Sequence, residues 1–287
     1  MFFIIGLVVV FGAVLGGYIL AGGKLAPIIK AAPFEFIIIA GSAAGAALMG
    51  NSFSTFKAAI SGFLKVLKGP RYNKDDYLKL IVTVAKLLNV IKKEGVVALE
   101  AHVENPDASP IIGEFPKLAT DHELLQYICD PLKLIVISQG NVDPDAAESI
   151  MNTALKTHHH HAMQASTAIT TIAGSLPALG IVACVLGVVK TMGAIDQPPA
   201  VLGALIGAAL VGTMLGVFLS YGIAEPVANR LSQIIDDESQ TFKVVKAMIV
   251  ANLQGHAQPV MIEFARSVLS HHDQPTFSDV FDGIRGG

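Results

Sequence analysis

The sequence predicts an all-α, polytopic membrane protein with four transmembrane helices and a helical cytoplasmic domain. Three observations carry that reading. Of its 287 residues, 52% are apolar and only 15% charged, a balance that soluble globular domains seldom show. Four uncharged stretches each suffice to cross about 30 Å of hydrocarbon at roughly 1.5 Å of helix rise per residue. A single long polar segment, residues 57–161, separates these stretches into two pairs.

The first stretch covers residues 2–20. Met1 is followed by no basic segment and Gly22-Gly23-Lys24 is a poor cleavage signal, so a span is expected here rather than a removable leader. The others lie at 36–56, 162–189 and 197–224, with short links at 21–35 and 190–199. With four spans, both termini share a side with the long insertion. Lys57, Lys65, Lys68, Arg71, Lys156, Arg230, Lys243 and Lys246 fall on that side, against Lys24, Lys30 and Lys190 on the other. The positive-inside bias therefore places the insertion and both termini in the cytoplasm. The expected division is 1–56 and 162–226 in the membrane, 57–161 and 227–287 outside it.

Glycines recur four apart at Gly12/Gly16, Gly41/Gly45, Gly203/Gly207 and Gly212/Gly216, a spacing that lets helix backbones approach closely. Within the insertion, Leu78, Ile81, Val82, Ala85, Leu88 and Val96 keep helical spacing, which predicts one amphipathic helix over 73–100. On such a helix Lys92 and Glu100 stand about two turns apart and share a face. Asp143-Pro144-Asp145 starts another helix, with Asp143 as N-cap and Pro144 at the first position, that can run into the third span. The tail opens with an amphipathic stretch at 227–254 and closes on Gly286-Gly287, expected to fray.

Several function classes are disfavoured. A net charge of −3 without a basic cluster is unsuited to nucleic acid. Cys129 and Cys184 lie far apart, so neither a disulfide framework nor a CxxC site is on offer. Gly23-Lys24 lacks the surroundings of a phosphate-cradling loop, and no polar catalytic cluster or cofactor motif is visible, so an enzyme is not expected. Of the 23 acidic residues none falls inside these four stretches; Glu35 and Glu225 only flank them. A proton relay through lipid normally uses buried carboxylates, so the ion carrier is expected on a partner. Thr170, Thr171 and Thr213 supply hydroxyls within the spans; back-bonding to the preceding turn is the expectation for Thr170 and Thr171.

Residues 175–183 (SLPALGIVA), residues 209–216 (ALVGTMLG) and Pro226 beyond them resemble the A subunits of flagellar motor stators, the MotA/PomA family. The likeness extends to residues 95–106, to Thr157-His158-His159 and to Gln274-Pro275-Thr276-Phe277. It implies an inner-membrane subunit that forms a ring, a homopentamer, around the single helices of a peptidoglycan-binding, MotB-like B-subunit dimer. The B helix supplies the proton-carrying aspartate, and the complex turns ion flow into torque. By the same resemblance Lys92 and Glu100 meet the rotor switch protein, though an arginine is usual where Lys92 stands. Thr213 and Cys184 fall on the ion pathway, and Pro177 and Pro226 couple ion passage to movement. Sodium-driven relatives tend to carry a threonine where this chain has Cys184, and a thiol is a poor ligand for a hard cation, so protons are the expected ion. The related TolQ/ExbB energisers of outer-membrane processes have three spans instead of four. The run from His158 to His161 is expected to form a polar turn near the membrane surface, with metal binding as the alternative.

Overall fold

A computed structural model describes residues 2–285, and no strand occurs among the described residues. In chain order the helices are α1 (Phe2–Leu20), α2 (Leu25–Gly50), α3 (Phe53–Lys68), α4 (Lys74–Glu94), α5 (Val96–Glu104), α6 (His122–Ile137), α7 (Pro144–Met192), α8 (Pro199–Leu219), α9 (Glu225–Leu253), α10 (Gln258–Ser267) and α11 (Phe277–Arg285). Short helical turns at Pro110–Gly113 and Pro116–Ala119 link α5 to α6. The closing pair Gly286-Gly287 lies outside the described residues.

Two compact units divide the chain. One comprises the residues up to Gly69 together with His161–Ile234; the other comprises Pro70–His160 and the chain from Ile235 onward. The first holds the four apolar segments, long and apolar enough to cross a membrane. Side chains such as Phe2, Val8, Phe34, Ile37, Val185 and Leu210 are exposed on it, and none of the first ten residues of α1 is buried. Such a surface is compatible with lipid or with further helices, not with water.

The second span begins earlier than the uncharged stretch predicts. Only Ala21–Lys24 separates α1 from α2, so Lys30, Pro33 and Glu35 all lie inside the helix. The link expected over residues 21–35 is mostly helical, because the helix is held by backbone hydrogen bonds, which a charged side chain does not interrupt. α2 ends at Gly50, where Asn51 is extended, and Ser52 caps α3 by accepting from the Thr55 N–H at 3.2 Å. The stretch expected to run to Phe56 is therefore two helices. α3 buries Ala59, Gly62 and Val66, with Leu231 of α9 against Gly62.

The second unit has a conventional hydrophobic core. Leu80, Ile81, Val84 and Leu88 of α4 join Leu99 of α5, Leu124 and Ile128 of α6, Val245 and Ile249 of α9, Ile262 of α10 and Val280 of α11. A capping box starts α4: Asn73 accepts from the Asp76 N–H while Asp76 accepts from the Asn73 N–H. Gly95, at φ 90° and ψ 172°, then breaks the helix predicted over 73–100. That backbone region belongs essentially to glycine. As expected, Asp143 caps α7, accepting from the Ala146 N–H at 3.2 Å, and the helix continues without interruption to Met192.

Candidate functional site

In the first unit the site is built where α7 crosses α8, and the crossing is set by glycine. A Cβ on Gly216 would sit 2.6 Å from the Leu176 carbonyl oxygen, and one on Gly180 would sit 2.9 Å from the Gly212 carbonyl oxygen. The Gly212/Gly216 pair thus packs within the chain, as its spacing predicts. Gly12, Gly16, Gly41, Gly45, Gly203 and Gly207 instead face open space.

The two prolines of this region share one device. Pro177 has no N–H to offer the carbonyl four residues back, that of Ala173. The Ser220 hydroxyl fills that gap, donating to the Ala173 oxygen at 2.7 Å from a fully buried position. Ser220 opens a π-turn, Ser220–Ala224, in which the Glu225 N–H donates five residues back to the Ser220 carbonyl. The widened turn makes room for Pro226, whose ring would otherwise collide with the Gly222 carbonyl. Pro226 therefore does not end the helix, which continues through the π-turn from Pro199 to Leu253. Nothing in the sequence singles out Ser220 beyond its place six residues before a proline.

The span hydroxyls separate by role. Thr170 and Thr171 donate to the Ser166 and Thr167 carbonyls, as expected. Thr213 makes no hydrogen bond to another described residue, which leaves its hydroxyl available to a partner. Cys184, a half-buried free thiol, lies at the same crossing, its backbone nitrogen 3.1 Å from where a Gly212 Cβ would stand.

One carboxylate departs from its expected place. Glu35, expected to flank the second span, lies within α2 and is 8% exposed. Its Oε2 approaches Gly212 so closely that a Cβ there would stand 2.7 Å away. Glu35 and Lys190 line a cavity of about 490 Å³ between α2, α7 and α8. The spans are thus not free of acid.

In the second unit, Lys92 lies in the last turn of α4 and Glu100 on α5, both exposed. The break at Gly95 removes the shared helical face expected of them. The Lys92 Nζ reaches the His256 carbonyl at 3.4 Å, whereas Lys93 and Val97 are open. The expected polar turn at His158–His161 is likewise absent: no glycine or proline interrupts α7 there. His158 bonds Glu123 at 2.8 Å and stacks on Phe242 at 4.2 Å between ring centroids, and His159 meets the Ser239 hydroxyl at 3.0 Å. No group of three or more potential metal-binding side chains occurs among the described residues.

Burial shifts the second unit's acids. It pushes the Cys129 thiol up to about 11 and raises the Tyr77 and Tyr127 hydroxyls. Tyr72 is raised by burial and then by its 2.5 Å hydrogen bond to Asp121. At the exposed start of α11, hydrogen bonds from Thr276 lower Asp279.

Four long apolar helices, two of which cross at glycines, define the class, a multi-pass helical membrane protein. Comparison with known proteins narrows it. Residues 4–95 match the family described as Motility protein A N-terminal, and residues 119–244 match the MotA/TolQ/ExbB proton channel family. Motility protein A of Escherichia coli (strain K12) is 34% identical over 285 residues, covering 99% of this chain and 95% of that protein. Chemotaxis protein LafT of Vibrio parahaemolyticus is 31% identical over 276 residues, covering 96% and 95%. The flagellar MotAB stator complex from Bacillus subtilis shares the fold, with TM-score 0.73 at 22% identity over 95% of this chain and 98% of that one. The chain belongs to the motility protein A family.

Proposed function

We propose that this chain is the A subunit of a flagellar stator, which with a single-span, peptidoglycan-anchored B subunit converts the proton-motive force into torque on the rotor. The observation that carries the reading is the linked pair of prolines. A hydroxyl from one broken helix completes the backbone of the other, so a change at either proline is felt at both. The full-length family match, including the N-terminal region, favours this over a TolQ/ExbB-like energiser. In this reading the first unit lies in the inner membrane, and the second unit and both termini are cytoplasmic. A ring of A subunits, a homopentamer, surrounds a B dimer. Six glycines with open faces supply close-packing positions for such neighbours.

Thr213 and Cys184 lie along the ion path, and the protein acts as a transducer rather than an enzyme. Lys92 and Glu100 present charge to the rotor from separate helices. An exposed ion pair is worth about 0.2–1 kcal/mol, whereas one charge crossing 100 mV releases about 2.3 kcal/mol, so ion flow suffices to remake such contacts. The test is to purify the chain from membranes with its partner and to follow swimming while the driving gradients are changed. Co-purification of a single-span partner, motility that survives removal of sodium and collapse with a protonophore are expected. Sodium-dependent swimming at constant proton-motive force would overturn the ion assignment, and a chain purified without any partner would overturn the assembly.

A further inference from the structure

Glu35 is more than nine-tenths buried, and its Oε2 has no hydrogen-bond partner among the described residues. It approaches α8 at Gly212, where a Cβ would stand 2.7 Å from its oxygen. A carboxylate without partners inside a membrane helix is costly, while a carboxylic acid is tolerated, so such a group is a functional position by default. The cavity it lines is large enough to hold several waters. The other ionisable side chains around that cavity are Lys30 of α2 and Lys190 of α7; α8 contributes none.

That combination selects among cations. A metal ion needs converging oxygen ligands and net negative charge, and here a single carboxyl shares its cavity with two lysines. A proton needs only a chain of waters and one acceptor oxygen. We propose that Glu35 is a proton-binding site of this chain itself, within a cavity whose two lysines exclude alkali cations, so that proton selection begins in the A subunit. A hydronium in the cavity gives its proton to the Glu35 carboxylate and leaves a water; release returns the proton to the next water. Gly212, the residue this carboxyl approaches, precedes Thr213 in the chain, and a Cβ there would also meet the Cys184 backbone nitrogen at 3.1 Å. The inference rests on the stator reading for its purpose, though not for its test.

Dicyclohexylcarbodiimide reacts with protonated carboxyls in apolar surroundings, and mass spectrometry of the chain in native membranes with its partner locates the adduct. Labelling of Glu35 is expected, falling as pH rises, unchanged by added sodium and absent in Glu35→Gln. No adduct at Glu35 at any pH would overturn the site, and protection by sodium would overturn the selection. Glu35→Gln should cut swimming speed several-fold at normal membrane levels while Glu35→Asp keeps part of it; wild-type speed in Glu35→Gln would also overturn the proposal. Labelling is read without motility, so a failure of the stator reading remains distinguishable from a failure of this one.

Discussion

Ser220 illustrates what a single residue does in this fold. Its hydroxyl completes a backbone that Pro177 leaves open, so Ser220→Ala should destabilise the detergent-solubilised protein by about 1 kcal/mol. In a Pro177→Ala background the substituted residue regains an N–H that can bond the Ala173 carbonyl, and there the same serine change should cost little. Thermal melts of the four proteins form a double-mutant cycle; equal losses in both backgrounds would show that the hydroxyl acts elsewhere. Pro177 itself was legible in the sequence, since a proline inside an uncharged run stands out, but its compensating serine lies 43 positions away and has no local signature. A second residue-scale prediction concerns pH. The buried Cys129 thiol holds its proton up to about 11, against an ordinary value of 9.0, while the unfolded chain releases it earlier. The unfolded state thus binds fewer protons over that window, and stability must fall as pH rises from about 9 to about 11. Accessibility of Cys129 to a thiol reagent should climb across that range; a flat profile would contradict the linkage.

Among the elements, periodicity and caps were read correctly where both lay close in sequence. Asp143-Pro144 marks the start of α7 because the cap and the helix it serves are adjacent. The helix at 73–100 was over-extended because Gly95 sits in an otherwise regular apolar pattern, and only its φ of 90° reveals the break. Gly95→Ala should therefore cost about 1–3 kcal/mol through backbone strain, measurable as a lowered melting temperature of the full chain. A neutral substitution would mean that α4 and α5 tolerate joining. The second span starts earlier than the uncharged run suggests, because the helix accommodates Glu35 against Gly212. The glycines divide in the same way. Gly216→Ala forces a Cβ against the Leu176 carbonyl and the Gly180 Cα and should destabilise by about 1–3 kcal/mol. Gly41→Ala meets nothing among the described residues, so any loss it causes should appear in assembly and not in the stability of the single subunit.

For the whole molecule, hydropathy and family-like motifs made the membrane class legible, because the bilayer leaves so few permitted structures. The shared helical face expected of Lys92 and Glu100 depends on a continuous helix that the backbone does not form. Sidedness follows from lysine counts and is open to direct test. A cysteine at Gln197 should react with a membrane-impermeant reagent added outside the cell, whereas one at the exposed Asp107 should not; the reverse would invert the topology. The central claim is that this chain generates torque without building the filament. Its most direct test is to delete the gene and measure cell rotation together with filament number by electron microscopy. Cells that carry normal flagella but neither swim nor rotate when tethered, and recover on re-expression of the intact chain, are the result predicted. Deleted cells that swim as well as the parent would contradict it.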